Sequence, residues 1–362
     1  MITATNILYI YTETPLHVGA GSGLSNVDLP IQRERTTQYP MIQGSGIKGK
    51  LRATAEVEGL QDLDVIFGSS RDIKDSAKSG TQTGSSAAQQ DYAGALIAGD
   101  ARILLFPVRS LNGIFAYTTS YDVLQRFARD LERSRVPFQN SWSVPKPVDE
   151  QDAELPTALV TSPSDLTIQE PQSQEKTIVL EEFSFKAQEV PNQEHPDKDG
   201  PVNKIAKWLA ENAIPRYGTG SESMYWQDKL KRSLVILPND DFRDFVLYAT
   251  EVITRIRIER ETKIVKEGAL WTEEHLPTDT LLYVPTYATN SRRNGHTLQG
   301  KDILQSVSTL NNKPGSYLQL GGDETVGRGI VCTRWGSIQV LREEKTVSNN
   351  HTSTSRRGDG EQ

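Results

Sequence analysis

TNILYIYT (residues 5–12), running directly into ETPLHVGAGSG (13–23), decides how this chain is to be read. Residues 5–12 alternate branched or aromatic side chains with smaller ones, the period of an extended strand. The segment that follows cannot be helical, because Gly19, Gly21, Ser22 and Gly23 crowd into five positions. Glycine costs conformational entropy on ordering, and what it provides in return is close backbone approach to another molecule. The opening unit is therefore a strand that delivers the chain into a contact loop.

Working outward, Ser45 to about Glu58 has helical periodicity, with Ser45 as the expected cap and Ile47, Leu51 and Ala55 on one apolar stripe. DARILLF (100–106) reads as a buried strand, and TSYDVLQRFARDLERS after it as a helix starting near Tyr121. KTIVLEEFSFKAQEV (176–190) reads as an extended strand or hairpin, VNKIAKWLAENA (202–213) as an amphipathic helix, and the segment from Asn239 as a capped helix. RIRIERETKIVKEGALWTEEHLP (255–277) reads as a β-hairpin, and LLYVPTY and GIVCTRW as further strands. Strands mixed with a few helices and long polar excursions predict an α+β fold with a ferredoxin-like, RRM-like core.

The expected organisation is one domain over 1–341 with two interruptions. Residues 69–94 are small and polar and predict a mobile loop. The Pro-, Glu- and Gln-rich stretch from about 145 to 175 reads as a long connection, and 342–362 as a disordered tail.

Charge is unevenly spread. The formal net charge is −7, which argues against a nucleic-acid binder until its distribution is considered. Residues 149–200 carry thirteen acids against three lysines, so the remainder of the chain is net +3. Between 29 and 55, Arg33, Arg35, Lys48, Lys50 and Arg52 oppose only Glu34, a usable electrostatic footprint for phosphates. Cys332 is the sole cysteine, which excludes an intrachain disulfide and fits a reducing cytoplasm. No signal-like leader or long apolar run appears, so a soluble, cytosolic chain away from membranes is expected.

The glycine segments HVGAGSG (17–23) and GGDETVGRG (321–329) are neither P-loop nor Rossmann motifs, because the spacing and the Gly-Lys-Ser/Thr ending are missing. Taken with Ser45, Lys48, Arg52 and Arg328, their backbone and the helix N-terminus make a seat for phosphates. Asp28, in NVDLPIQRE, is either a turn cap or Arg33 partner, or a carboxylate acting on a ribose 2′-hydroxyl or holding a divalent cation. Glu273, Glu274 and His275 offer proton traffic or a metal contact if they are not simply solvated. His17 is either a phosphate donor or a structural hydrogen-bonding group. No hydrolase elbow of the G-x-S-x-G kind is present.

HVGAGSGLSNVDLPIQRE, YPMIQGSGIKGKLR, GDARILLFPVRSL, RIRIERETKIVKEGALWTEEHLP and GGDETVGRGIV occur in one order. In that order they resemble the backbone subunit of type III-B CRISPR effectors, within the RAMP superfamily. The resemblance runs from about residue 8 to 335 and is weakest in 69–94 and 145–200. It implies an RRM-like palm with helical finger insertions and a thumb hairpin, the thumb falling at about 180–215. It implies partners: guide RNA, target RNA, further copies stacked in a filament, and other type III subunits including the small subunit and the large polymerase/cyclase-like subunit. It also implies a metal-dependent endoribonuclease, with Mg2+ or Mn2+ as cofactor and a 2′,3′-cyclic phosphate product, in which Asp28 is catalytic and a metal ligand. Glu273 resembles a position that supports cleavage. His17, Lys48 and Arg52 resemble phosphate-contacting positions, joined in the expected RNA surface by Gly19, Gly21, Ser45, Lys50 and Arg328. His275 stands where relatives carry tyrosine. Two other readings stand beside this one. A non-catalytic scaffold would use Asp28 as a turn cap, and a precursor-processing ribonuclease is opposed by the scarcity of histidine, five in all.

Overall fold

The computed structural model describes residues 1–23, 27–69, 92–137, 143–148, 154–169, 175–193, 195, 199–217, 224–293, 295, 297–310 and 317–341. The strands are β1 (Ile2–Thr12), β2 (Met41–Ile42), β3 (Leu96–Ala98), β4 (Ala101–Arg109), β5 (Phe115–Ser120), β6 (Thr157–Val160), β7 (Ile168–Gln169) and β8 (Lys176–Leu180). They continue with β9 (Phe183–Glu189), β10 (Leu234–Leu237), β11 (Glu251–Ile258), β12 (Val265–His275), β13 (Leu281–Thr289), β14 (Tyr317–Gln319), β15 (Ile330–Trp335) and β16 (Gln339–Val340). The helices are α1 (Gly44–Val57), α2 (Leu63–Phe67), α3 (Tyr121–Arg133), α4 (Pro201–Asn212), α5 (Tyr225–Ser233), α6 (Asn239–Tyr248) and α7 (Gly300–Thr309).

All strands but β11 and β12 join one large mixed sheet, ordered β14-β15-β1-β13-β4-β5-β10-β6-β9-β8-β7, with β16, β2 and β3 added at its sides. Strand β1 is its axis, buried from Ala4 to Thr12 because β13 and β15 flank it antiparallel on both sides. Strands buried on both faces read as continuous apolar runs, and NILYIY is one. The stripe expected on α1 is present: Ile47, Leu51 and Ala55 are buried. Cutting Ile47 back to Ala would cost about 2–5 kcal/mol. On α3, Ser120 Oγ caps Val123 N–H, and Phe127 packs edge-on to Tyr9 and Tyr283.

Four expectations need correction. Helix α1 starts at Gly44 with Gln43 before it, so Ser45 lies inside the first turn, exposed, and makes no cap. The orphan amide of Gly44 is met instead by Asp100 Oδ1 at 2.8 Å, a long-range partner that no local motif reveals. Asn239 likewise begins α6 without capping it, its Oδ1 accepting from Asp122 N–H at 3.1 Å. The connection read over 145–175 contains β6, four buried residues paired with β10 and β9 in the sheet, hidden in the sequence by acidic flanks.

The fourth concerns the protruding hairpin expected at 180–215. Those residues hold β9, paired in the large sheet, and α4, whose Val202, Ile205 and Leu209 are buried. The hairpin outside the large sheet is β11–β12, and every residue from Ile256 to Gly268 is exposed. The disorder expected of 69–94 and 342–362 falls almost wholly outside the described residues. Among the described residues, no helix is long and apolar enough to cross a membrane.

Candidate functional site

The loop after β1 is stitched at both ends to β12, the inner strand of the hairpin. Leu16 and Leu276 exchange backbone hydrogen bonds at 2.9 Å. Farther along, Leu29 N–H donates to Thr272 C=O and Glu274 N–H to Leu29 C=O, both at 3.0 Å. Asp28 is thereby set beside Thr272 and exposed. Its Oδ2 accepts from the Thr272 amide at 2.8 Å and from the Thr272 hydroxyl at 2.9 Å, and its own amide donates to that hydroxyl at 3.0 Å. The Thr272 amide, then the Thr272 hydroxyl, hold the Asp28 carboxyl below the usual carboxylate range. Among the described residues no hydrogen bond reaches Oδ1, which leaves one ionised oxygen for an incoming group.

The expected pairing of Asp28 with Arg33 is not made. Arg33 reaches Glu274, which also accepts from Thr250 Oγ1 at 2.9 Å and Ile31 N–H at 3.0 Å. Glu274 is buried and its contacts hold the loop, so it is not a solvated surface acid.

Alternation along a strand sends Glu273 and His275 to the face of β12 opposite Thr272 and Glu274. Glu273 is 6% exposed and accepts from Trp271 Nε1 at 2.7 Å and Arg255 Nε at 2.8 Å. Arg255 Nη2 continues to Asp323 Oδ2 at 2.8 Å. His275 is fully buried beside them, its Nε2 3.6 Å from Asp323 and 3.9 Å from Glu273. Asp28 and Glu273 thus both adjoin β12, Asp28 beside Thr272 and Glu273 on the opposite face of the strand.

The two glycine segments, from opposite ends of the chain, meet at His17. The His17 Nδ1 pairs with Glu274 C=O at 2.6 Å, its C=O accepts from Gly322 N–H at 2.9 Å, and its ring lies against that of His275. Gly321 has φ +74°, and a Cβ there would strike the His17 carbonyl, so only glycine closes this contact. Gly19 packs under the imidazole, where a Cβ would come 2.9 Å from Nε2. These contacts hold the His17 ring and backbone in place, while Gly19 and Gly21 stay exposed at the loop surface.

The basic residues divide. Arg52 reaches Glu56, Asp64 and the Gly68 carbonyl. Lys48 is half-buried beside a cleft formed with Phe67, Tyr92 and Gly94, and burial, then Arg292 and Arg52, pulls its ammonium below the usual lysine range. Lys50 and Arg328 are partly exposed. Gly46 and Gly49, on the same helix, have open space where a Cβ would stand. A helix with bare glycine on its surface leaves room for a partner's backbone.

Sequence reasoning missed Thr272, Arg255 and Asp323. Asp323 stood inside a quoted glycine motif, and the period of two in WTEEH would have separated Thr272 and Glu274 from Glu273 and His275.

The RAMP superfamily model matches residues 9–332. The "CRISPR system Cmr endoribonuclease Cmr4" of Pyrococcus furiosus is 36% identical over 326 residues, 89% of this chain and 92% of its own. The "CRISPR system CMR subunit Cmr4" of Saccharolobus solfataricus is 26% identical over 336 residues, 90% of this chain and 95% of its own. Among solved structures, oligomeric Cmr4 from Pyrococcus furiosus aligns with a TM-score of 0.61 at 31% identity, over 93% of this chain and 98% of that one. A chain of the type III-B Cmr-beta complex bound to cognate target RNA shares the fold, with a TM-score of 0.59 at 22% identity over 91% and 96%.

Proposed function

The chain belongs to the RAMP superfamily, and from that premise we propose that it is the backbone subunit of a type III-B CRISPR effector, one that packs along guide RNA and cuts the paired target at Asp28. The observation that carries this reading is the exposed carboxylate of Asp28, fixed through one oxygen by Thr272 and open at the other. Its setting suits in-line attack by a ribose 2′-hydroxyl on the adjacent phosphodiester. The O2′–P bond forms as the P–O5′ bond breaks, the 2′-hydroxyl proton passing to solvent water and the departing O5′ taking a proton from water, which leaves a 2′,3′-cyclic phosphate and a 5′-hydroxyl.

A carboxylate held this acidic is a weak proton acceptor. Its contribution is therefore to accept the 2′-hydroxyl's hydrogen bond and orient that oxygen in line. A single open carboxylate also fits Mg2+ or Mn2+, which bind through one or two carboxylates and take other ligands from phosphate and water. When bound, such an ion supplies charge neutralisation at the phosphoryl oxygens.

In this reading the large sheet around β1 forms an RRM-like palm, and β11–β12, bare at its end, is the thumb that intrudes into the guide–target duplex. Ile256, Ile258, Ile264 and Leu270, 47–67% exposed, give that hairpin an apolar edge. Lys48, Lys50, Arg328 and the glycine backbones of Gly19, Gly21, Gly46 and Gly49 face RNA. Copies associate head to tail, an open arrangement that other subunits, the small and the large polymerase/cyclase-like ones, must cap. The place of action is the cytoplasm.

The scaffold reading draws on the same Thr272 contacts, which are those of a turn cap. The two part in one experiment. A complex reconstituted with guide RNA and Mg2+ or Mn2+ is given labelled target, with wild type and Asp28→Ala compared at matched target binding. Evenly spaced cuts lost in the variant support the nuclease; cuts that persist move the chemistry elsewhere and leave this chain a scaffold.

A further inference from the structure

On the face of β12 away from Asp28 lies a second arrangement with metal-binding chemistry. Glu273, His275 and Asp323 bring one ligand atom each within 4.8 Å of one another. Acidic neighbours alone are common on proteins. What sets this group apart is His275, fully buried, with neither ring nitrogen hydrogen-bonded among the described residues. A buried polar group without a partner costs about 1–3 kcal/mol. Its Nε2 faces both carboxylates from 3.6 and 3.9 Å, too far for a hydrogen bond and close to the spacing of two ligands on one ion.

The present occupant of the negative end is Arg255, whose guanidinium bridges Glu273 Oε2 and Asp323 Oδ2 at 2.8 Å each. It neutralises the carboxylates but does nothing for His275. Arg255 comes from β11, where its neighbours Ile256 onward are exposed, so its head group has solvent to withdraw into.

We propose that Glu273, His275 and Asp323 form a divalent transition-metal site, taking Zn2+ in preference to Mg2+, in which the ion displaces the Arg255 guanidinium and ties the hairpin base to the glycine loop at 321–329. One imidazole nitrogen with two carboxylates is a donor set used by Zn2+, whereas Mg2+ and Ca2+ favour all-oxygen shells. Binding joins β12 to the 321–329 loop by coordinate bonds and satisfies His275 as no hydrogen bond from a described residue does. It is separate from the Asp28 carboxylate, on the other side of the strand, and does not depend on Asp28 being catalytic.

The test uses the full chain stripped of metal by chelator and titrated with Co2+ as a visible probe and Zn2+ as a competitor, with thermal unfolding followed in parallel. One Co2+ per chain giving intense visible absorption, displaced by Zn2+ but not by Mg2+, is the expected result, with a higher unfolding midpoint in Zn2+. His275→Phe and Asp323→Asn should each weaken binding at least tenfold, Arg255→Met should strengthen it, and Asp28→Asn should leave it unchanged. Two variants on different elements guard against one that fails to fold. Equal Co2+ binding in wild type and both ligand variants, or no binding even in Arg255→Met, overturns the proposal.

Discussion

Thr272 donates twice to one oxygen of Asp28, by its amide at 2.8 Å and its hydroxyl at 2.9 Å, and leaves the other oxygen without a hydrogen bond from another described residue. The acid is anchored and available at once, a state that neither residue produces alone.

Removing the hydroxyl with Thr272→Val keeps the amide contact and the strand. The Asp28 carboxyl should rise toward the ordinary carboxylate value, because one donor that favours its charged form is gone. The acid limb of target cleavage should move to higher pH with it, and cleavage at neutral pH should fall by about tenfold as the carboxylate loses its orientation. Rate profiles of the reconstituted complex check this, with Thr272→Ser expected to restore most of the activity.

Arg33→Ala strands Glu274, whose side chain is buried with no other cation on it among the described residues. Breaking a buried pair by removing one partner costs about 3–5 kcal/mol. Urea unfolding of the isolated chain should show that loss, while the double variant Arg33→Ala with Glu274→Gln should recover part of it.

Lys48→Ala and Arg52→Ala should separate cleanly. Lys48 has no ion pair among the described residues, and its loss should weaken guide-RNA binding and lower the salt slope by about one unit. Arg52 is consumed by Glu56, Asp64 and Gly68, so its loss should appear first as a lower unfolding midpoint. Binding isotherms over a salt series, beside thermal melts, decide between them.

Asp279 supplies a pH prediction of opposite sign to Asp28. Burial pushes its carboxyl above the ordinary value, only partly offset by the hydrogen bond from Tyr11 at 2.5 Å and by Lys229. A raised carboxyl contributes stability that is present below the ordinary carboxylate value and lost as pH rises through the folded one. At neutral pH the charge is a net cost, so Asp279→Asn, which keeps an acceptor for Tyr11, should melt higher than wild type at pH 7. The advantage should shrink on acidification toward pH 4.

How far the sequence reveals such sites depends on the range of the contacts that make them. Strand β1, the α1 stripe and the 255–277 hairpin were legible because each is a local period, two or 3.6 residues, with its own apolar face. The Asp100 cap on Gly44 and the Thr272 seat for Asp28 were not, since each partner lies far along the chain with no local motif to betray it. Strand β6 was hidden for a different reason: four apolar residues cannot outweigh acidic flanks in any window long enough to show a period. Glu273 shows the limit most clearly. Its neighbour Glu274 serves the Asp28 loop while Glu273 serves Arg255: the period of two puts them on opposite faces, but nothing local says which partner each face will meet.

The closure of both glycine segments on His17 has a consequence for synthesis. Strand β1 is made long before its outer partner β15 and the loop that covers His17. A chain still on the ribosome therefore carries Asp28 long before the walls around it exist. The site is complete only once β12 and the loop at 321–329 have followed it, and contacts so distant in sequence slow folding.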